Sequence, residues 1–446
     1  MKPAKKSQRQ IVETDLSGIE AVCYLTDIRH LNVSRLEGWA GILGRVTVAA
    51  PGRRPPELDT HINWIWYGED EQKVDIWNKR IMEAEKEWIL FLEDDEWVDF
   101  SSLKLSQYSA DSAWMPAIIR YREDDITRLC YQVRLVRNNG IGVYSGKNLP
   151  DASRYMADHG IHTAEDPFRI YRKSSLFTDV DPHDEMSIQS VSPQLYLIMG
   201  EQFVKKGDLV LAAAHYRKVQ RSENLLSFDR LAAMNGIAGC MAEQLRWPKA
   251  LSLAEESLEH ESLQRLPYLI QFRIRQLKKE WEGAYDVLSG YHDTLNFDTK
   301  ANFDKELGIE KTLKFLGDLA SESKKNDRAF EHYEEFYREK RGEVDRSFVK
   351  KLFLLSVERA NFEKSVYYFE KLFGSDLNQS LSEIRRVELN DALGLFKKRG
   401  WYNYVADVIE ELVDIFPEDK DFRRQLIVAL SKTDRLDRAR TMISTS

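Results

Sequence analysis

The sequence predicts an α/β domain with a mostly parallel sheet, followed by an all-α array of helical hairpins. Three observations predict it. From Ile19 to about Tyr144, short apolar runs alternate with helical segments, as in an α/β unit. One run, Trp88-Ile89-Leu90-Phe91-Leu92, is apolar on both faces, which marks a central strand. From Ser192 onward, small and large residues recur at the intervals of a helix–turn–helix repeat.

The first ten residues are basic (Lys2, Lys5, Lys6, Arg9), but Glu13 and Asp15 interrupt the stretch from Ile11 to Gly18, so residues 1–18 are expected to be a flexible basic N-terminus and not an export signal. Residues 19–158 are expected to form the α/β domain. Strands are expected at Ile19–Leu25, Arg45–Ala50 and His61–Tyr67, and a helix at Val33–Leu43. A second helix over Glu71–Lys86 places Val74, Trp77, Ile81 and Ala84 on one face and leads into the central strand. That strand ends in Glu93-Asp94-Asp95-Glu96. Four adjacent carboxylates repel one another, and a divalent cation with oxygen ligands is the expected remedy. Glu93 and Asp95 lie two apart and share a side in extended backbone. The carboxyl ends of strands are also where open α/β sheets bind ligands.

Residues 159–191 are expected to be a linker, and 192–446 the repeats. In the first repeat Gly200 and Ala212 let two helices approach, Phe203 and Tyr216 fill the space between hairpins, and Gly207 supplies a left-handed turn. Taking Ala212, Ala250, Ala284, Ala329, Ser365, Val405 and Ala439 as the close-packing positions gives spacings of 38, 34, 45, 36, 40 and 34 residues. This pattern resembles the tetratricopeptide family, in about seven repeats, which implies a concave face that holds a protein or peptide partner.

Composition limits the alternatives. At 446 residues, 43% apolar and 31% charged, the chain is expected to fold as two units. A net charge of -8 with interspersed signs argues against nucleic acid as a partner. Cys23, Cys130 and Cys240 stand far apart and are expected to be buried thiols. No window has the apolar length of a transmembrane segment, and a cytoplasmic location is expected.

A second resemblance spans most of the chain. The stretch from Trp77-Asn78-Lys79-Arg80 to Glu93-Asp94-Asp95-Glu96 resembles the family-2 glycosyltransferase segment in which a helix leads to a strand ending in a metal-binding Asp-x-Asp. Its closest likeness is to the branch that carries tetratricopeptide repeats. Tyr131 to Asn138 with Gly140-Ile141, and His159 to His162 with Arg169 to Phe177, resemble later segments of that branch. The resemblance implies a nucleotide-sugar transferase-like domain. Its cofactors would be a divalent cation (manganese or magnesium) at Glu93 and Asp95 and a nucleotide-diphosphate sugar as donor. Asp27, Asn78, Arg134 and Arg137 would contact the donor, and Asp151, or else Asp94, would be the general base. Each has a plainer role: Asp27 as a cap, the arginines as partners of local acids, His159 and His162 as surface residues. The chain departs from the family at Ala49-Ala50-Pro51-Gly52-Arg53-Arg54, where the nucleotide grip is expected, and at Asn148-Leu149-Pro150-Asp151, where a His-Glu pair is expected. Those departures keep two rivals open: an inactive scaffold with a transferase fold, and a phosphate-ester hydrolase.

Overall fold

The structure is a computed structural model that describes residues 16–55, 61–68, 70–103, 113–123, 126–146, 149–163, 167–173, 193–222, 225–374 and 383–444. Most of the expected basic N-terminus (to residue 15), the expected linker from 174 on, Ser192 and Asn148 lie outside them, and so does the side chain of His162.

Contacts divide the chain into two compact units, Met1–Gly308 and Ile309–Ser446. The sequence suggests a division near residue 191. The cause of the difference is a shared core: Ala21, Val48 and Leu90 of the sheet belong to the same buried cluster as Leu197, Ala212, Tyr216 and Ile237 of the first hairpins.

In the first unit the strands are β1 (Ile19–Tyr24), β2 (Arg45–Ala50), β3 (Ile62–Trp66), β4 (Trp88–Glu93), β5 (Glu96–Asp99), β6 (Ala113–Glu123), β7 (Ile126–Arg137), β8 (His162–Thr163), β9 (Phe168–Arg172) and β10 (Asp304–Glu306). They join in the order β3-β2-β1-β4-β7-β6-β9-β5, with β10 on β7 and β8 on β6. The parallel sheet expected from sequence is found across β3, β2, β1 and β4. Beyond β4 the sheet is mixed, because β6 and β7 form a long antiparallel hairpin whose second strand also runs against β4. In β4, Trp88, Leu90 and Leu92 face one cluster while Ile89 and Phe91 face the other, the period-two pattern of a strand covered on both faces.

Among the described residues, three helices accompany the sheet: α1 (Val33–Ala40), α2 (Lys73–Glu83) and α3 (Ser153–Asp158). Helix α2 buries Val74, Trp77 and Ile81, as its periodicity predicts. Cys23, Cys130 and Cys240 are buried free thiols. No helix among the described residues is long and apolar enough to cross a membrane.

The remaining helices come in hairpins. In the first unit these are α4 (Pro193–Lys205) with α5 (Leu209–Gln220), α6 (Ser227–Glu243) with α7 (Trp247–His260), and α8 (Leu266–Leu277) with α9 (Trp281–Thr294). In the second they are α10 (Ile309–Glu322) with α11 (Asn326–Glu339), α12 (Arg346–Glu358) with α13 (Phe362–Phe373), α14 (Glu383–Lys398) with α15 (Tyr402–Ile415), and α16 (Lys420–Leu430) with α17 (Leu436–Ser444). All seven close-packing positions are buried. In six hairpins a residue with positive φ stands five positions earlier: Gly207, Leu245, Lys279, Lys324, Ala360 and Gly400. Each closes the first helix the same way, its own N–H donating three residues back and the next N–H donating five back, as when Ala360 N–H donates to Val357 O and Asn361 N–H to Ser356 O. This is the Schellman turn, and it ties the repeat register to a backbone conformation.

Glycine has a second use where a tyrosine ring crosses a helix. A Cβ on Gly200 would lie 2.4 Å from the Tyr216 ring, and one on Gly236 would lie 2.6 Å from its other edge. The Tyr216 hydroxyl donates to Glu201 at 2.9 Å. The second unit repeats the device: a Cβ on Gly317 would lie 2.4 Å from the Tyr333 ring, whose hydroxyl donates to Asp318.

These two backbone constraints predict opposite outcomes for two small changes in the second unit. Ala360→Gly, at φ 55 on an exposed turn, should raise unfolding free energy by about 1 kcal/mol. Gly317→Ala should lower it by about 1–3 kcal/mol through the clash with Tyr333. Urea unfolding of the full chain checks both, and effects of the same sign would contradict the account.

Candidate functional site at the ends of β1 and β4

The chain leaves β1 toward β2 and β3 and returns to place β4 on the other side of β1. The carboxyl ends of β1 and β4 therefore flank the point where strand order reverses, the usual ligand end of an open α/β sheet. From β1 this end receives Thr26, Asp27 and a helical turn over Ile28–His30. From β4 it receives Glu93, Asp94, Asp95 and Glu96.

The carboxylates do converge, but on cations that belong to the protein. Glu93 is buried, and its Oε1 accepts from Lys73 Nζ at 3.0 Å and from Arg134 NH2 at 3.1 Å. Its Oε2 accepts from Arg172 NH1 at 2.8 Å. Asp95 Oδ1 pairs with Nε of the same Arg172 at 3.1 Å. Glu96 has no exposed surface; it accepts from Arg134 NH2 at 3.0 Å and from the Glu93 backbone N–H at 2.8 Å. Three acids thus face three cations drawn from α2, β7 and β9. Register explains Arg172, because β5 and β9 pair it directly opposite Glu96.

Burial and partners set the charge states. Burial alone would push the Glu93 carboxyl up, but Lys73, Arg134 and Arg172 together hold it well below the ordinary carboxylate range. Glu96 goes the other way: burial raises it, and the neighbouring Glu93 charge adds to that against the pull of Arg134. Arg172 is raised by Glu93, Glu96 and Asp95 against the effect of its own burial.

This arrangement gives Glu93 and Asp95, the acids expected to hold a divalent cation, protein partners instead. Both oxygens of Glu93 are engaged by charged donors, so a metal ion would have to displace lysine and arginine from a buried position. Among the described residues, no group of three or more His, Cys, Asp or Glu side chains is placed to hold a metal ion. The residues present do not fit one.

The other expected site residues are found in structural roles. Arg134, 1% exposed, also donates from Nε to Gln132 and lies 5.1 Å over the Trp77 ring, which leaves no surface for a phosphate. Arg137 sits apart, pairing with Glu87 at 3.1 Å. Asn78 clamps a backbone segment: its Oδ1 accepts from Val143 and Tyr144 N–H, and its Nδ2 donates to the Tyr144 carbonyl. Asp27 caps the helical turn, accepting from Arg29 N and Nε at 2.8 Å; hydrogen bonds from Arg29 lower its carboxyl to about 2. Asp151 is buried, and its Oδ1 accepts from Ser153 N and Oγ at 2.9 and 2.5 Å where α3 begins. His159 is a surface residue whose Nδ1 donates to the Tyr155 carbonyl.

Asp94 alone keeps a setting that suits chemistry. Its Oδ2 accepts from Thr26 Oγ1 at 2.6 Å and pairs with His30 Nδ1 at 2.7 Å, while the imidazole is 57% exposed. The turn that carries it is held by Arg35, which donates to the Asp94 and Glu96 carbonyls and lies over the Trp39 and Trp97 rings. Sequence reasoning missed His30, Arg35, Lys73 and Arg172. Local sequence carries no signal for Arg172, since β9 (Phe168–Arg172) also carries Arg169 and only strand pairing shows which arginine meets the acids.

No protein-family description matches the sequence, and no curated protein matches it. Solved structures with loose likeness include a tetratricopeptide repeat protein from Parabacteroides merdae ATCC 43184, at 15% identity over 57% of this chain and 91% of that one, with a TM-score of 0.31. MamA from Desulfovibrio magneticus RS-1 follows at 12% identity, 43% and 99% coverage and 0.30, and pilF of Pseudomonas aeruginosa at 16%, 52% and 95%, and 0.29. These superpositions are too distant to transfer any property to this chain.

If the acid cluster is a structural lock, Arg134→Met should lower stability by about 3–5 kcal/mol by leaving Glu93 and Glu96 undercompensated. Arg137→Met should change it by no more than about 0.5 kcal/mol. Chemical unfolding of both variants decides this, and comparable losses would show that the buried cluster has no special weight.

Proposed function

We propose that this protein is a catalytically silent interaction scaffold: its tetratricopeptide-type hairpins hold a protein partner, and its α/β region is a transferase-like fold closed at the ligand end. One observation carries this reading. The carboxylate expected to ligate a metal, Glu93, is engaged on both oxygens by Lys73, Arg134 and Arg172. The hairpins support the other half, since repeats of this kind offer extended faces to partners.

A second reading, group transfer at the same end of the sheet, is favoured by the His30–Asp94 pair. An exposed imidazole backed by a carboxylate has the arrangement of a general base. In that reading His30 Nε2 would take the acceptor's proton while Asp94 holds the ring through Nδ1.

Calorimetry separates the two. Titration of the full chain with UDP- or GDP-sugars in the presence of manganese should give no saturable heat. Saturable heat with the native chain that vanishes in a His30→Ala variant of unchanged thermal unfolding would favour group transfer.

A further inference from the structure

A groove of about 730 Å³ opens in the first unit where β6 and β7 meet α6 and the end of α7. That volume lies within the roughly 300–1,000 Å³ usual for ligand sites. Its floor is apolar: Tyr131 and Phe228 are buried there and stack at 4.8 Å between ring centroids, with Leu231 beside them. The Tyr131 hydroxyl is turned to the Thr299 carbonyl, so the ring presents carbon rather than oxygen.

The rim is cationic. Arg230 and His260 are exposed, and their side chains make no hydrogen bond or ion pair among the described residues; Lys300 lies on the same rim. The one acid on the rim among the described residues, Glu261, is occupied locally, accepting from the Leu263 N–H at 2.9 Å. Helix α6, seventeen residues long, begins in the groove at Ser227 with no side-chain cap, which adds the positive end of its dipole to the same field.

We infer that this groove docks an acidic peptide segment of a protein partner, with an apolar side chain over Tyr131 and Phe228 and carboxylates beside Arg230, His260 and Lys300. The inference rests on the scaffold reading and names the chemistry of its partner. Charge complementarity selects an acidic segment. An open groove with cations contributed by α6 and the loop before β10 suits an extended chain more than a compact small molecule.

The test is fluorescence anisotropy of the full chain with a labelled octapeptide of alternating glutamate and leucine, alongside a lysine–leucine octapeptide and inorganic phosphate. The acidic peptide should saturate, and its affinity should fall at least about tenfold in an Arg230→Glu, Lys300→Glu variant and again on raising salt from about 50 to about 500 mM. Unchanged thermal unfolding certifies the variant, and Arg230→Gln, with a smaller loss in the same direction, serves if the double change does not fold. The proposal is overturned by absence of saturation, by undiminished binding to the variant, by equal binding of the lysine peptide, or by displacement with millimolar phosphate. A failed peptide titration without donor heat removes the groove and leaves the scaffold, whereas donor heat removes the scaffold itself.

Discussion

The interaction on which the rest depends is the buried ion cluster at the end of β4. Buried Glu93 and Glu96 and half-buried Asp95 would repel one another unless positive charge stood within hydrogen-bonding distance. The chain supplies that charge itself from Lys73, Arg134 and Arg172. Each cation comes from a different element, so the cluster joins α2, β7 and β9 to the β4–β5 turn. The solution that holds the turn in place also occupies the oxygens a metal ion would need. Structure and expected chemistry compete here for the same carboxylate, and in this chain structure has it.

The hairpins depend on a different constraint, that of backbone shape. In six of them a left-handed residue five positions before the close-packing position ends the first helix, and in two repeats a glycine then leaves room for a tyrosine ring from the facing helix. Only two of the six left-handed positions are glycine. The turn therefore persists where side chains oppose it, which shows that helix packing outweighs the local cost of about 1 kcal/mol at Leu245, Lys279, Lys324 and Ala360.

Much of this was legible in the sequence. The close-packing positions from Ala212 to Ala439 could be read because burial between two helices admits few residue types, and all seven are buried. The central strand and the face of α2 were legible through periodicity. The mixed half of the sheet was not, since the order of β4, β7, β6 and β9 depends on long-range pairing that no local pattern encodes. The partners of the acid run were not legible for a related reason. Glu93 and Arg172 are far apart in the chain, and only the pairing of β5 with β9 brings the arginine opposite the acids. A run of carboxylates announces a need for positive charge without saying whether a metal ion or an arginine meets it.

The most direct measurement of the central claim is an acid titration of carboxyl-labelled protein by carbon NMR, following the Glu93 side chain with and without magnesium. The account predicts that Glu93 stays ionised below the range where ordinary glutamates titrate, held by Lys73, Arg134 and Arg172, with a resonance that magnesium does not move. Titration near the ordinary value of 4.5, or a saturable shift on adding magnesium, would contradict it.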